Sequence, residues 1–228
     1  MRRLQARVRA DEQMDDPALP PAVYDAVLSD LGRVNVWTLA ARPTLSFVRQ
    51  ATARLDRFSL LDVGFGDGGM LRRIAHWARR ARKTADLVGV DLNPKSEAVA
   101  RAATPPGSGI VWRTGDYRDQ GQFDLVVSSL VAHHMEDEEL RTFLAWMEAN
   151  TARGWLVNDL HRHPFSYFGY PFLARLLRVH RIVREDGQLS IARAFRPHEW
   201  RPLLAAAGVS EARVVRRFPF RLCVERLR

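Results

Sequence analysis

The sequence has one cysteine, only two lysines and no long apolar run. A single cysteine, Cys223, cannot form an internal disulfide, which is typical of proteins from a reducing compartment. No segment approaches the ~18 consecutive apolar residues that a membrane-spanning helix needs. The N-terminus carries positive charge without an apolar core behind it, so we expect no signal peptide. Together these absences predict a cytoplasmic, globular protein.

Basic charge is abundant, but its distribution does not indicate a nucleic-acid partner. The formal net charge is +9, and 33 of the 35 basic residues are arginines (35 − 2 lysines). These arginines are scattered, and the local clusters at residues 79–83 and 213–217 lack the interleaved aromatic residues of a base-stacking platform. We therefore expect no nucleic-acid partner.

Short apolar segments alternate with amphipathic segments from residue 55 onward. This alternation predicts right-handed βαβ crossovers and a mostly parallel sheet with helices on both faces. A turn is expected at Asp186-Gly187. The predicted strands are residues 59–64, 87–92, 110–112, 123–128, 154–158, 209–218 and 220–225, and the predicted helices include 70–83, 138–149 and 198–207.

The chain is expected to be organised around one α/β domain. Residues 1–54 are interpreted as an N-terminal arm and helical cap, in which residues 1–20 are loosely ordered and residues 21–54 form two or three short helices. Residues 55–228 are interpreted as the main domain. It contains a helical, aromatic insertion after the fifth strand, at about residues 161–200.

A glycine-rich segment follows the first predicted strand. In LLDVGFGDGG (60–69), four glycines stand between a buried strand and a helix. Glycine permits positive φ angles and lets a ligand approach the backbone closely. Ligands of open parallel sheets bind beyond the carboxyl ends of the strands, where this loop must lie. Because dinucleotide-binding folds share such a turn, the loop alone predicts only a nucleotide-type site.

Acidic residues follow the next two strands. Asp91 ends the second strand, 25 residues after Gly66, where a carboxylate can accept hydrogen bonds from both ribose hydroxyls. Asp116, after the third strand, can accept a hydrogen bond from an exocyclic amine, and the adjacent Tyr117 can cover a purine ring. The three features together predict a nucleoside site.

These motifs resemble those of the class I S-adenosylmethionine-dependent methyltransferases, over roughly residues 55–160 and more loosely to the C-terminus. LLDVGFGDG looks like the family's first motif, VGVDLNP its second and TGDYRD its adenine-binding third, while FDLVVSSLVAHHM is similar to the fourth strand and its loop. The resemblance implies a Rossmann-like sheet of seven strands, S-adenosyl-L-methionine as cofactor and S-adenosyl-L-homocysteine as product. Asp67-Gly68-Gly69 departs from the family's pattern by an extra acid and an extra glycine.

The resemblance also implies cofactor-binding roles for individual residues. They are Gly64, Phe65 and Gly66 along the amino-acid part, Asp62 as a supporting acid, Asp91 with Leu92 at the ribose, Asp116 with Tyr117 at the adenine, and Ser129 near the sulfonium. A fold of this type with a different ligand, or with none, is the alternative.

Two histidines, His133 and His134, follow the fourth strand and are the catalytic candidates. In small-molecule O-methyltransferases that the chain resembles, a loop of the form xxHxxxD carries a catalytic histidine; HHMED (133–137) places His133 there and Asp137 on the later acid. The pKa of a phenol, roughly 10, is about 3.5 units above that of histidine, roughly 6.5. Histidine can therefore accept the phenolic proton only as the new bond forms. The alternative is that these histidines cap the next helix or pack against the cofactor.

Polar residues after the fifth strand and the aromatic insertion are candidates for acceptor binding. In NDLHRHP (158–164), we expect Asn158, Asp159 and His161 to contact polar groups of the substrate, unless the segment is a solvated loop. A pair of histidines with one residue between them, without a second cluster, is a weak metal signal, and we expect no metal site. Five of the eight residues in FSYFGYPF (165–172) are aromatic.

This aromatic segment has three interpretations. It is a lid over the pocket that binds a flat, apolar acceptor through Tyr167 and Phe168, or it packs as core onto the N-terminal helices. A weak membrane-surface contact is the third option.

The sequence as a whole predicts a methyltransferase for an oxygen, or a carbon, of a hydrophobic aromatic small molecule, such as a phenol, quinone or polyketide of secondary metabolism. The alternatives are an RNA or protein methyltransferase and a non-catalytic protein of the same fold. Enzymes that methylate exocyclic amines usually have an (Asp/Asn)-Pro-Pro-(Tyr/Phe) loop, where this chain has Ser-Ser-Leu-Val (128–131). We expect a monomer or a homodimer.

Overall fold

Seven strands form a single sheet in the part of the chain that the structure, a computed structural model, describes: residues 4–16 and 18–228. The strands are β1 Arg57–Val63, β2 Thr84–Asp91, β3 Ile110–Thr114, β4 Phe123–Ser129, β5 Thr151–Leu160, β6 Arg213–Arg217 and β7 Arg221–Leu227. Their order across the sheet is β3-β2-β1-β4-β5-β7-β6. Strands β1 to β5 are parallel, and β7 runs antiparallel between β5 and β6. The predicted Rossmann-like, mostly parallel sheet is confirmed.

The central strands are apolar along their length because helices cover both faces of the sheet. On one face, α5 and α8 pack against strand residues such as Leu61 and Trp155. On the other face, α2, α3 and α4 pack against Leu60 and Leu125, and all four of these strand side chains are fully buried. The described residues form eight α-helices: α1 Pro21–Trp37, α2 Arg42–Ala51, α3 Gly69–Arg80, α4 Pro94–Ala102, α5 Asp137–Asn150, α6 Pro164–Leu176, α7 Arg181–Arg193 and α8 Pro197–Ala206.

A separate layer of helices lies over the carboxyl ends of the parallel strands. Val27 and Val34 of α1 pack against Ala174 of α6 and Ile182 and Val183 of α7 in a small apolar cluster of their own. The insertion after β5 therefore packs onto the N-terminal cap, and the two together form a roof. No helix in residues 4–16 and 18–228 is long and apolar enough to cross a membrane.

The N-terminal arm is ordered where the structure describes it, so the prediction of a loose arm was wrong there. Leu4 is 3% exposed, and the amide of Val8 donates to the carbonyl of Ala192 over 3.2 Å. The amides of Gln13 and Met14 donate to the Asp186 carboxylate over 3.0 and 2.9 Å. Residues 1–3 and Pro17, which belong to the predicted arm, lie outside the described residues. The arm is held by contacts with α7, which a local sequence pattern does not reveal.

The turn predicted at Asp186-Gly187 was also wrong, since both residues lie inside α7. A Cβ atom at Gly187 would lie 2.3 Å from the ring of Tyr170 on α6. The glycine is therefore needed for close approach of two helices, not for a change of chain direction.

Candidate functional site

A cavity of about 830 Å³ lies at the carboxyl edge of the parallel strands, beneath the helical roof. The loops after β1, β2 and β4 form its floor. Helices α1, α6 and α7, residues Glu12 and Met14 of the arm, and the hairpin between β6 and β7 form its walls. The position beyond the carboxyl ends of parallel strands is where open α/β sheets bind ligands.

The glycine loop after β1 makes one part of this floor. Gly64 has a φ of +75°, its amide donates to the carbonyl of Val90 over 2.8 Å, and a Cβ atom there would lie 2.4 Å from the Val131 side chain. Gly66 has a φ of +55°, and nothing lies within 4 Å of its virtual Cβ atom. The first glycine therefore lets two loops meet, and the second leaves open space on the cavity floor.

We expect Gly64→Ala to lower the free energy of unfolding by roughly 1–3 kcal/mol, because the added methyl group collides with Val131 and the backbone keeps a strained φ. Chemical denaturation measures this loss. Adding Val131→Ala to the variant should restore the steric part only. Gly121→Ala is the matched control, since Gly121 has a φ of +76° and open space around its virtual Cβ atom. A loss no larger than that of Gly121→Ala would show that the contact with Val131 does not matter.

Asp91 joins the loops that follow β1 and β2. Its two carboxylate oxygens accept hydrogen bonds of 2.9 Å each, one from the amide of Gly66 and one from the amide of Asn93. Burial raises the pKa of Asp91, and this effect outweighs the hydrogen bonds from these amides and from Ser96, which lower the pKa. Asp91, the exposed Leu92 and Asn93 all line the cavity. A carboxylate at the tip of β2 is thus fixed beside the open glycine.

Asp62, the supporting acid of the sequence prediction, lies beneath the loop rather than in the cavity wall. Its side chain is 1% exposed, and neither carboxylate oxygen has a hydrogen-bond partner among the described residues. Burial, with smaller contributions from the charges of Asp91 and Asp67, raises the pKa of Asp62 to about 7. An unpartnered buried carboxyl favours a water molecule or a donor group of a ligand close by.

Of the residues predicted to contact the adenine and the sulfonium, two line the cavity and one does not. Tyr117 and Ser129 line it, and the Tyr117 ring packs edge-on against Phe143, with 4.8 Å between ring centroids. Phe65 lines it as well. Asp116 is not part of the wall: its carboxylate caps the turn that begins at Tyr117 and accepts hydrogen bonds from the Arg118 side chain over 3.0 Å.

His133 lies in the cavity wall and pairs with an acid of another strand. Nδ1 of His133 donates to Oδ1 of Asp159 over 2.7 Å, and the His133 amide donates to Oδ2 of the same carboxylate over 2.7 Å. Both side chains are almost fully buried. Asp137, the acid that the sequence pattern assigned, is exposed and pairs with Arg7 instead. The carboxylate at the end of β5 therefore orients the imidazole.

The charges around His133 make it unusually basic. Burial by itself lowers the pKa of His133, but the carboxylates of Asp159 and Glu12 outweigh burial and raise the pKa to about 9. In turn, the interactions with His133 outweigh burial at Asp159 and lower the pKa of that carboxyl. With Nδ1 committed to Asp159, the nitrogen that can exchange a proton is Nε2.

Glu12 is a site residue that the sequence analysis missed. Its Oε1 lies 3.7 Å from Nε2 of His133 and 3.7 Å from Nε2 of His134, and it accepts a hydrogen bond of 2.7 Å from the Ser190 hydroxyl. The side chain is buried, although Glu12 belongs to the arm. No local pattern marks it, because its partners are more than 100 residues away in the sequence.

Glu12, His133 and His134 place three potential metal-ligand atoms within 4.8 Å of one another. Two observations disfavour a cation there. A nitrogen of the Arg193 guanidinium already lies 3.8 Å from Oε1 of Glu12. The raised pKa of His133 means that a metal ion would have to displace a proton from its imidazole at neutral pH, which weakens binding. That no metal is bound here stays a prediction.

None of the five predicted acceptor contacts lines the cavity. One of them, Asp159, is connected to it through His133. Asn158 is fully buried and donates to the carbonyl of Ala40 over 2.8 Å, which ties β5 to the N-terminal cap. His161 is 7% exposed, and burial is the main cause that lowers its pKa to about 4. Residues 158–161 are therefore not a solvated loop.

The aromatic insertion supplies different residues to the cavity from those expected. Tyr167 lines a second, smaller cavity on the outside of α6, and Phe168 points into solvent with 55% of its surface exposed. The cavity-facing positions of α6 are Phe165, Ser166, Gly169, Tyr170 and Leu173. The phase of the helix decides which rings face inward, and a dense aromatic run does not fix that phase.

Comparison with known proteins gives a consistent picture. Residues 60–154 match the sequence profile of a family described as "Methyltransferase domain". No curated protein sequence matches. Among solved structures, the plantazolicin methyltransferase BamL, in complex with a triazolic desmethylPZN analog and SAH, is 13% identical, with a TM-score of 0.62 over 83% of this chain and 68% of that chain.

Two further solved structures are similar over nearly the whole chain. Human N-acetylserotonin methyltransferase in complex with SAM is 15% identical, with a TM-score of 0.61 over 93% of this chain and 59% of that chain. Magnesium protoporphyrin IX methyltransferase from Synechocystis PCC 6803 with bound SAH is 15% identical, with a TM-score of 0.57 over 100% of this chain and 91% of that chain. At these identities the likeness shows the shared fold.

Proposed function

Because this chain is a class I S-adenosylmethionine-dependent methyltransferase, we propose that it methylates a hydrophobic, aromatic small molecule. The methyl group goes to a phenolic oxygen, or to a ring carbon made nucleophilic by loss of the phenolic proton. The observation that carries the proposal is the buried His133–Asp159 pair in the wall of the cavity. A histidine oriented by a carboxylate can act as a general base, which is useful when the methyl acceptor must lose a proton before it reacts.

The residues on the cavity floor fit S-adenosyl-L-methionine. Asp91 would bind the ribose hydroxyls, the open backbone at Gly66 would admit the methionine part, and Tyr117 would cover the adenine. The open space at Gly66, where nothing lies within 4 Å of a Cβ position, supports a ligand in this place. When bound, the cofactor supplies a methyl group on a sulfonium, and S-adenosyl-L-homocysteine is the product.

The main task left to the protein is to align the acceptor and exclude water. Methyl transfer is a direct displacement, so holding the reacting atoms in line can lower its activation barrier by several kcal/mol. The roof of α1, α6 and α7 encloses the cavity, and apolar side chains such as Leu28, Tyr170 and Leu173 line it. These walls suit a flat, apolar acceptor better than a polar macromolecule. The structures compared above are named for small-molecule acceptors, which supports the same class.

His133 is proposed to accept the acceptor's proton through Nε2. With a pKa of about 9, its conjugate acid is only about one unit more acidic than a phenol, compared with about 3.5 units for an ordinary histidine. The free-energy cost of moving the proton from the phenol to His133 is therefore small. The neutral base is scarce at neutral pH, since a pKa near 9 leaves roughly one imidazole in a hundred unprotonated at pH 7.

The pH dependence of methyl transfer to a panel of phenolic acceptors tests this proposal. Because only neutral His133 can accept a proton, kcat/KM should rise about tenfold per pH unit below pH 9 and level off above it. Product mass, with a gain of one methyl group, identifies the acceptor. A pH-independent kcat/KM for a phenol, or no methylated phenol at any pH, would contradict the proposal.

We expect Asp159→Asn to move this pH limb to lower pH and to lower the plateau. Removing the carboxylate leaves only Glu12 to oppose the effect of burial, so the pKa of His133 falls and the base becomes weaker. The matched control is Asp137→Asn, which removes the acid that the sequence pattern placed at the end of the same loop. It should leave the limb near pH 9, and a shift in this control rather than in Asp159→Asn would reverse the assignment.

A further inference from the structure

Helix α6 presents an apolar stripe to solvent. Phe165, Phe168, Phe172 and Leu176 are 75%, 55%, 73% and 79% exposed. Their spacing of three, four and four residues places them on one face of the helix, over a length of roughly 16 Å. The adjacent face, with Gly169 and Tyr170, lines the cavity. Large contiguous apolar surfaces are rare on soluble proteins and mark interaction sites.

Two other exposed apolar groups lie next to the start of this stripe. Trp37 ends α1 and Leu39 follows it, and Phe218 and Phe220 form the tip of the β6–β7 hairpin. Their exposed fractions are 67%, 40%, 76% and 41%. All four side chains, together with Phe165, line the cavity, so they surround its mouth. We call these eight residues, the four of the stripe and the four around them, the mouth patch.

Direct contacts hold the three parts of the mouth patch together. The Arg221 guanidinium donates to the Thr38 hydroxyl over 3.2 Å, which joins the hairpin to the end of α1. The His163 ring stacks on Phe165 and on Phe220, with 5.6 and 5.2 Å between ring centroids. The patch is therefore one surface, assembled from three segments that are distant from one another in the sequence.

The three segments that form this surface carry basic charge and no acidic residue. Residues 33–55 contain four arginines, residues 161–184 five and residues 212–224 four, without a single Asp or Glu among them. Arg181 and Arg217 pair with Glu185 and Glu225 from outside these segments. Six exposed arginines of these segments have no carboxylate within 4.0 Å among the described residues: Arg42, Arg49, Arg54, Arg175, Arg178 and Arg216.

This combination of apolar rings and unpaired arginines favours one kind of partner. A symmetric contact between two copies would bring these arginines against each other, and like charges oppose such a contact. An anionic lipid surface accepts both components, since the rings enter the boundary between headgroups and acyl chains while the arginines contact phosphates. Exposed aliphatic side chains such as Leu176 gain nothing from stacking on bases, which disfavours a single-stranded nucleic acid.

We propose that the mouth patch docks the protein onto anionic phospholipid bilayers, with the cavity mouth facing the lipid. In this orientation an apolar molecule dissolved in the bilayer reaches the cavity without crossing water. That consequence rests on the proposed function, whereas the docking itself does not.

Vesicle flotation of the full chain, without cofactor or acceptor, tests the docking. The vesicles are pure phosphatidylcholine or phosphatidylcholine with phosphatidylglycerol. We expect binding only to the second kind, weakened by salt because surface charge attraction is screened. Phe172→Ser with Leu176→Ser, neither of which lines the cavity, should weaken binding about tenfold or more, given the value of burying such side chains. Val111→Ser, an exposed apolar residue of β3, is the control.

Charge reversal tests the electrostatic part separately. Arg175→Glu with Arg178→Glu should weaken binding by roughly fivefold or more per arginine, the contribution of one basic residue near an anionic bilayer. Arg79→Glu with Arg80→Glu is the matched control, since both arginines are exposed at the end of α3, on the opposite edge of the sheet.

Three outcomes would overturn the proposal. The first is equal vesicle binding by the mouth-patch variants and their controls, or no binding by the wild type. The second is a wild-type dimer that Phe172→Ser with Leu176→Ser converts to a monomer, which would make the patch an interface between copies. The third is tighter, patch-dependent binding to single-stranded RNA. Methyl transfer is measured in none of these assays, so its failure would not be mistaken for failure of docking.

Discussion

Replacing His133 by asparagine is expected to lower kcat for a phenolic acceptor by roughly 10²–10⁴-fold, the contribution of a positioned general base. Asparagine keeps a donor near the Asp159 carboxylate, so the buried acid is not left without a partner. Affinity for S-adenosyl-L-methionine should change little, because the hydrogen bonds of His133 go to Asp159 and not to the glycine loop or Asp91. Steady-state kinetics with a phenol and calorimetry with the cofactor measure the two effects separately.

The control for this experiment is His198→Asn, a histidine that is exposed at the start of α8 and does not line the cavity. It should retain the wild-type kcat. If His133→Asn also retained it, the base would have to be sought at His134, whose Nε2 is equally close to Glu12. If His133→Asn lost cofactor affinity and kcat together, the residue would have a structural role in the cofactor site.

Replacing Asp91 by alanine should weaken cofactor binding by roughly 1.5–3 kcal/mol, the range for losing hydrogen bonds to a charged group. This corresponds to a dissociation constant roughly 10- to 150-fold higher. The structure adds a second reason, since the same carboxylate holds the amides of Gly66 and Asn93 in place. Calorimetric titration with S-adenosyl-L-methionine and with S-adenosyl-L-homocysteine measures the loss.

Asp86→Ala is the matched control for Asp91→Ala. Asp86 lies on the same strand, β2, but its exposed carboxylate pairs with Arg57 far from the cavity. Cofactor affinity should stay unchanged in this control. An unchanged affinity in Asp91→Ala would remove the ribose contact from the proposal and, with it, the assignment of the cavity floor to the cofactor.

Local patterns in the sequence were sufficient for the sheet and the floor of the site. The strands were predicted because strands buried on both faces give short, continuous apolar segments, which alternate here with amphipathic segments. The glycine loop and Asp91 were predicted to lie together because both follow parallel strands, whose carboxyl ends meet at one edge. Strand boundaries differed by a few residues, as for β5, which starts at Thr151 rather than Gly154.

The walls of the site could not be predicted in this way. Glu12 comes from the arm, His133 from the loop after β4 and Asp159 from the end of β5, and only folding brings their side chains together. The sequence pattern placed Asp137 on the later acid of the loop, whereas the acid that contacts His133 in the structure is Asp159. Likewise, the aromatic insertion was recognised by composition, but the phase of α6 turned Phe168 and Phe172 outward and Tyr170 inward.

The sequence by itself determined the class of fold, the order of its strands along the chain, and the glycine loop and Asp91 of the cavity floor, but it also placed Asp62 and Asp116 there, which do not line the cavity. These features depend on burial and backbone conformation. Both are encoded by the types and spacing of residues that are close together in the sequence. Tertiary structure alone decided which acid orients His133, how the arm and insertion close the cavity, and which apolar side chains remain exposed around its mouth. Those features depend on the relative placement of distant segments, because a side chain's partner, and hence its pKa and exposure, is fixed only when the helices have packed.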